Sequence, residues 1–217
     1  MKSDKLNFLS KNPNLLFITY LILFFIFYNK AFFDLVVKNC KTSKKQRAHI
    51  LSLKTSFILS ICGIIFNYYY FFSNKNFNEI YNISIVIICF FTSYLISDLI
   101  IGIKQYPSEL GLLTAYIHHI VYIFINILGI YTQSSHFIVL YLVLEIPTFI
   151  LSLGTLIARY RRDHLFGYTF FILRILFHIF LLFIFRQNKL LTTFSILALT
   201  LHIYWFNKWY SKYLVKK

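Results

Sequence analysis

Apolar runs of membrane-spanning length alternate with short polar stretches along the chain. The first extends from Leu15 to Tyr28 and resumes after Asn29 and Lys30 through Val37, which predicts a helix at about 14–37. Later runs predict helices at about 50–72, 80–103, 110–131, 136–158, 165–185 and 190–206. About 20 apolar residues, at ~1.5 Å of rise each, cross the hydrocarbon core of a bilayer. A transmembrane barrel would instead alternate apolar and polar residues along each strand. These runs are continuous, and a helix satisfies its own backbone polar groups in lipid. The expected fold is all-α: a polytopic transmembrane helical bundle of about seven helices. The number is six if the first run, interrupted by Lys30 and Asp34, does not span.

The polar stretches divide the chain into three parts. Residues 1–44 hold a polar tail, the first helix and a basic loop; 45–210 form a multi-helix membrane domain; 211–217 are a basic tail. Ala31, followed by Phe32 and Phe33, is not the small-residue cleavage site of a signal peptide, so the first helix is expected to be retained. Pro107 closes the third helix, and Pro147, which has no N–H, is expected to kink the fifth beside Glu145. The connection at 132–135 is so short that the fourth and fifth helices must be antiparallel neighbours.

Composition agrees with the membrane reading. Of 217 residues, 59% are hydrophobic and 13% charged, against about 25% charged in a water-soluble domain. The net charge of +15 would suit nucleic acid, but the basic residues lie in short loops between apolar runs, so no nucleic-acid partner is expected. With seven spans, one face collects 6 Lys and Arg and the other 13. The positive-inside rule then puts the C-terminus in the cytosol. Cys40, Cys62 and Cys89 are odd in number and widely spaced, two of them inside apolar runs, which argues against a disulfide framework or a zinc site, and no metal is expected.

The exceptions to the apolar pattern carry the chemistry. His118 and His119 adjoin inside the fourth run, where ionisable groups are costly and usually functional. Neighbours on a helix point ~100° apart, so one ring can face a cavity while the other touches a second helix. Asp98 lies toward the basic end of the third helix, Glu145 and Arg174 near the middle of the fifth and sixth, His178 one turn beyond Arg174, and His202 in the seventh. Five successive helices thus place polar groups at mid-depth or nearer the basic face. A polar cavity opening to that face is expected, with Glu145 bonded to Arg174 or a histidine. His118, His119 and Asp98 are the catalytic candidates; Glu145, Arg174 and His178 are candidates for substrate binding.

In order, Ser97-Asp98-Leu99, His118-His119, Glu145-Ile-Pro147-Thr148 and Phe170-Phe171-Ile-Leu-Arg174-Ile175 resemble the TLC domain family, over about residues 45–210. The resemblance implies membrane lipid as the partner, a place in the endoplasmic reticulum or a related endomembrane, and action in lipid metabolism or homeostasis. In the ceramide synthases of that family, intramembrane histidines transfer an acyl group from coenzyme A, which implies acyl-coenzyme A as a substrate and no bound cofactor. Those synthases carry a second His pair and an Asp pair. Here Ile-Val-Tyr122-Ile-Phe follows His119 and the fifth helix offers one Glu. Three readings follow: an acyltransferase, a non-catalytic lipid-binding or trafficking protein, and a small proton-coupled transporter. The third lacks the paired broken helices expected of inverted repeats.

Overall fold

The first apolar run keeps its helix through its charges because Lys30 and Asp34, one turn apart, pair with each other. A computed structural model describes residues 15–73 and 81–215. Those residues form seven helices: α1 (Leu15–Asn39), α2 (Lys44–Phe72), α3 (Tyr81–Gln105), α4 (Leu112–Tyr131), α5 (Ser135–Leu156), α6 (Asp163–Ile184) and α7 (Lys189–Tyr210). No strand occurs among the described residues. The fold is an all-α bundle. The first six helices are each long and apolar enough to cross a membrane, α1 included; α7 falls outside that set. It nevertheless runs back along α6, since the Trp209 indole donates to the Asp163 carbonyl at 3.0 Å.

The largest difference from the sequence expectation is the start of α2, six residues earlier than the apolar run. Ser43 caps it: its hydroxyl accepts from the Gln46 N–H at 3.2 Å, and the Gln46 side chain accepts from the Ser43 N–H at 3.0 Å. This reciprocal box lets Lys44, Lys45 and Arg47 lie on a helix instead of in a loop.

Three helices are locally irregular. α4 opens with a π-helical stretch, Leu112–Ile117; α6 contains another, Phe171–Phe177; and the first half of α5 is wound as a 3-10 helix, Val139–Glu145. The last has a cause in the sequence. Pro147 has no N–H for the Val143 carbonyl, and the Ile146 N–H takes that place in a tighter turn.

α2 and α5 make the closest helix pair, joined on either side by α3 and α6; α4 packs on α3, and α7 on α6. The six form a ring. It closes between α4 and α7 through ring contacts, His118 to Trp205 at 5.3 Å and Phe124 to Phe194 at 6.1 Å. α1 lies outside, against α3. Gly63 permits the α2–α5 approach: a Cβ there would sit 2.2 Å from the Val143 nitrogen. Beside it, Asn67 donates across the interface to the Leu140 carbonyl at 2.9 Å.

Candidate functional site

The ring encloses a polar cavity of about 370 Å³ toward the end that carries the basic loops. Ala48, Glu109, Leu110 and Phe166 line it near the helix ends, and Arg174, Glu145 and Trp205 line it deeper in. Asp98, His118, His119, Glu145 and Arg174 all line this one cavity. His178 does not; it lines a narrower, mostly carbon-walled space on the far side of Glu145 and Arg174.

Asp98 reaches the cavity from the last two turns of α3. Its Oδ1 accepts from the Tyr106 hydroxyl at 2.7 Å, and its Oδ2 lies 3.6 Å from His119 Nδ1. That Nδ1 is sealed and has no hydrogen-bond partner within ordinary reach, so Asp98 is the group it faces. His119 packs 5.9 Å from the Tyr94 ring, whose hydroxyl meets Ser52 at 2.9 Å. His118 stands differently. Its ring lies against Tyr122 at 4.5 Å and Trp205 at 5.3 Å, and its Nδ1 is buried with no partner. The π-helical stretch just before the pair shifts the helical phase at which both rings enter the cavity. Such bulges recur at functional sites.

Arg174 is buried, with 6% of its surface exposed. Nε donates to the Leu144 carbonyl at 2.8 Å; Nη2 donates to Thr148 at 2.6 Å and to Glu145 at 3.2 Å. Leu144 lies in the 3-10 stretch ahead of Pro147, so the irregularity sits beside the carbonyl that Arg174 uses. A buried arginine with a carboxylate, a hydroxyl and a carbonyl has its charge compensated. Its Nη1 remains without a protein partner among the described residues, a donor available to an anionic or carbonyl oxygen.

Sequence reasoning passed over several groups. Tyr106, Tyr94, His49, Ser52 and Trp205 also line the cavity. His49 and Ser52, three apart, share a face of α2, and His49 Nδ1 meets Ser152 at 3.1 Å. Trp205 lies three residues after His202 on α7. His178 and His202 face each other, Nδ1 to Nδ1, at 3.2 Å. A second polar cluster lies away from the cavity. The Asn29 side chain donates to Ser97 at 3.3 Å and accepts from Lys54 at 2.5 Å, and the Lys54 ammonium lies over Tyr28 at 4.4 Å and Phe32 at 4.9 Å. It ties α1 to α2 and α3. Among the described residues no three His, Cys, Asp or Glu side chains converge as a metal site.

Comparison with protein-family models, curated proteins and solved structures found no match. The several apolar helices identify a multi-pass integral membrane protein.

Proposed function

We propose that this protein acts in membrane lipid metabolism or homeostasis by holding a lipid in the polar cavity and acylating it. The observation that carries this reading is the convergence of Asp98, His118, His119, Glu145 and Arg174 on one space among membrane helices. Charged groups are retained in such a place at a cost of roughly 2.5–3.5 kcal/mol each even on the lenient insertion scale. The space combines polar groups with carbon walls, as an amphiphile requires.

Imidazole serves as base or nucleophile near neutral pH. With its Nδ1–H turned to Asp98, His119 offers Nε2 as the base. A lipid hydroxyl or amine gives its proton to that nitrogen and forms a bond to the carbonyl carbon of an acyl thioester. The carbon–sulfur bond breaks, and the thiolate leaves as the thiol with that proton. Arg174 Nη1 contacts an oxygen of the headgroup or of the acyl carbonyl. The reading carries with it the endomembrane location that the TLC-like order of motifs implies and the cytosolic C-terminus expected from the basic loops.

The test is a lipid profile of membranes with and without the protein, repeated with His118→Ala/His119→Ala. The reading expects one lipid class to change with the wild type and to revert with the double variant. It fails if the double variant acts as the wild type does. A non-catalytic lipid carrier is favoured instead if lipid co-purifies with both proteins and no acylated product accumulates with either.

A further inference from the structure

Tyr106 lies just past the end of α3, yet only 1% of its surface is exposed. Gly102 makes this possible: a Cβ there would come within 2.8 Å of the Tyr106 ring. The ring also packs 6.2 Å from Phe33 of α1. A tyrosine so placed could serve packing alone, but phenylalanine would fill that role, and here the hydroxyl is engaged. It donates to Asp98 Oδ1 at 2.7 Å and lies 3.3 Å from the Asp98 backbone carbonyl, which can only accept. The phenolic proton is therefore aimed at Asp98. Burial, and then the neighbouring Asp98 charge, push the Tyr106 phenol far above its ordinary range, so it remains a donor at any working pH.

We propose that Tyr106 is a positioning residue for His119, acting through Asp98. The two carboxylate oxygens are divided: Oδ1 takes the phenol, which leaves Oδ2, 3.6 Å away and beyond hydrogen-bond length, as the nearest acceptor facing an Nδ1–H of His119. That assignment puts the imidazole proton on Nδ1 and the reactive lone pair on Nε2. Without the hydroxyl, Oδ1 loses its donor, and the carboxyl is free to turn or to take up a proton. A protonated Asp98 would donate to Nδ1, move the ring proton to Nε2 and silence the lone pair. His118, with no partner at Nδ1, is outside this control. The inference rests on the proposed role of His119, but its test needs no knowledge of the lipid.

The probe is diethyl pyrocarbonate, applied to the purified full chain. Nε2 bonds to a carbonyl carbon of the reagent and the anhydride C–O bond breaks. The ring proton is lost, and the departing ethyl carbonate takes up a proton and falls apart to ethanol and carbon dioxide. Modification at His119 is followed by peptide mass spectrometry, with His118 and the exposed His164 as references in the same sample. Tyr106→Phe should slow His119 by about tenfold, the rate equivalent of one lost hydrogen bond, and leave both references unchanged. Asp98→Asn should slow it as much, and the double variant no further than Asp98→Asn alone. If Tyr106→Phe does not fold, Gly102→Ala, which displaces the phenol with Tyr106 still in place, should give the same selective slowing. Equal slowing of His118 and His119, no slowing, or additive effects of the two substitutions would overturn the proposal. Its failure is separable from failure of the lipid reading. A positioned His119 with an unchanged lipid profile sinks the latter alone; a lipid change with His119 indifferent to Tyr106 sinks the former.

Discussion

At the scale of single residues, pairing governs what a buried charge costs. Arg174 and Glu145 offset each other in a place where either alone would be left with an uncompensated charge. Removing one partner of such a pair costs about 3–5 kcal/mol, while replacing both with apolar residues is often close to neutral. Glu145→Gln should therefore lower the unfolding temperature in detergent more than the double variant Glu145→Leu/Arg174→Met does. Thermal unfolding monitored by cysteine-reactive dye checks this, and equal or reversed losses would remove the pair's structural role. His118 should behave differently. Its ring packs against Tyr122 and Trp205 and its Nδ1 has no partner, so His118→Asn should fold as the wild type does while changing the lipid profile. The sequence showed which residues are costly, because a charge in an apolar run stands out by itself. It did not show Tyr106 or Tyr94, because tyrosine is common in this chain, 17 of 217 residues, and only its partner distinguishes a working hydroxyl from an interfacial one.

At the scale of elements, continuous apolar runs located all seven helices, but not their internal winding. The 3-10 stretch of α5 could be anticipated from Pro147; the π-helical stretches of α4 and α6 have no such mark, since Leu112–Ile117 and Phe171–Phe177 contain neither Pro nor Gly. The early start of α2 was legible in Ser43-Lys-Lys-Gln46, a capping box that the basic charge of the loop obscured. The contact between α2 and α5 gives a sharper prediction. Because the nearest atoms to a Cβ at Gly63 are backbone atoms of Val143 and Leu142, no side-chain rotation can relieve a substitution. Gly63→Ala should separate the two helices and destabilise by about 1–3 kcal/mol, in the range of overpacked cores. Gly102→Ala meets only the ends of the Tyr106 and Leu110 side chains and should cost less. Unfolding temperatures of the two variants side by side test the ordering.

At the scale of the whole molecule, the ring explains why the polar groups of separate helices share a depth. A chain that crosses back and forth returns every second connection to the same face. The connections after α1, α3 and α5, and the end of α7, thus gather at the cavity's shallow end, where Glu109 and Phe166 line it. By the sequence count that is also the face expected to carry 13 Lys and Arg against 6, so charge bias and cavity position make a single prediction: the cavity opens to the cytosol. Lys2, Lys5, Lys11, Lys75, Lys216 and Lys217, which enter that count, lie outside the described residues. The chain supplies its own reporter. Cys40, between α1 and α2 on this face, is exposed, whereas Cys62 and Cys89 lie within α2 and α3. A membrane-impermeant maleimide added to sealed microsomes should label the wild-type chain without permeabilisation, and Cys40→Ser should abolish the label. Glu109→Cys in that background should restore it, because residue 109 shares the face and is exposed; a cysteine in place of Gln133, between α4 and α5, should stay unlabelled until the membrane is opened. Labelling of positions 40 and 109 only after permeabilisation would invert the orientation, and with it the side from which an acyl thioester could reach His119. Labelling of positions 109 and 133 from the same side would break the alternation on which the seven-helix traverse depends.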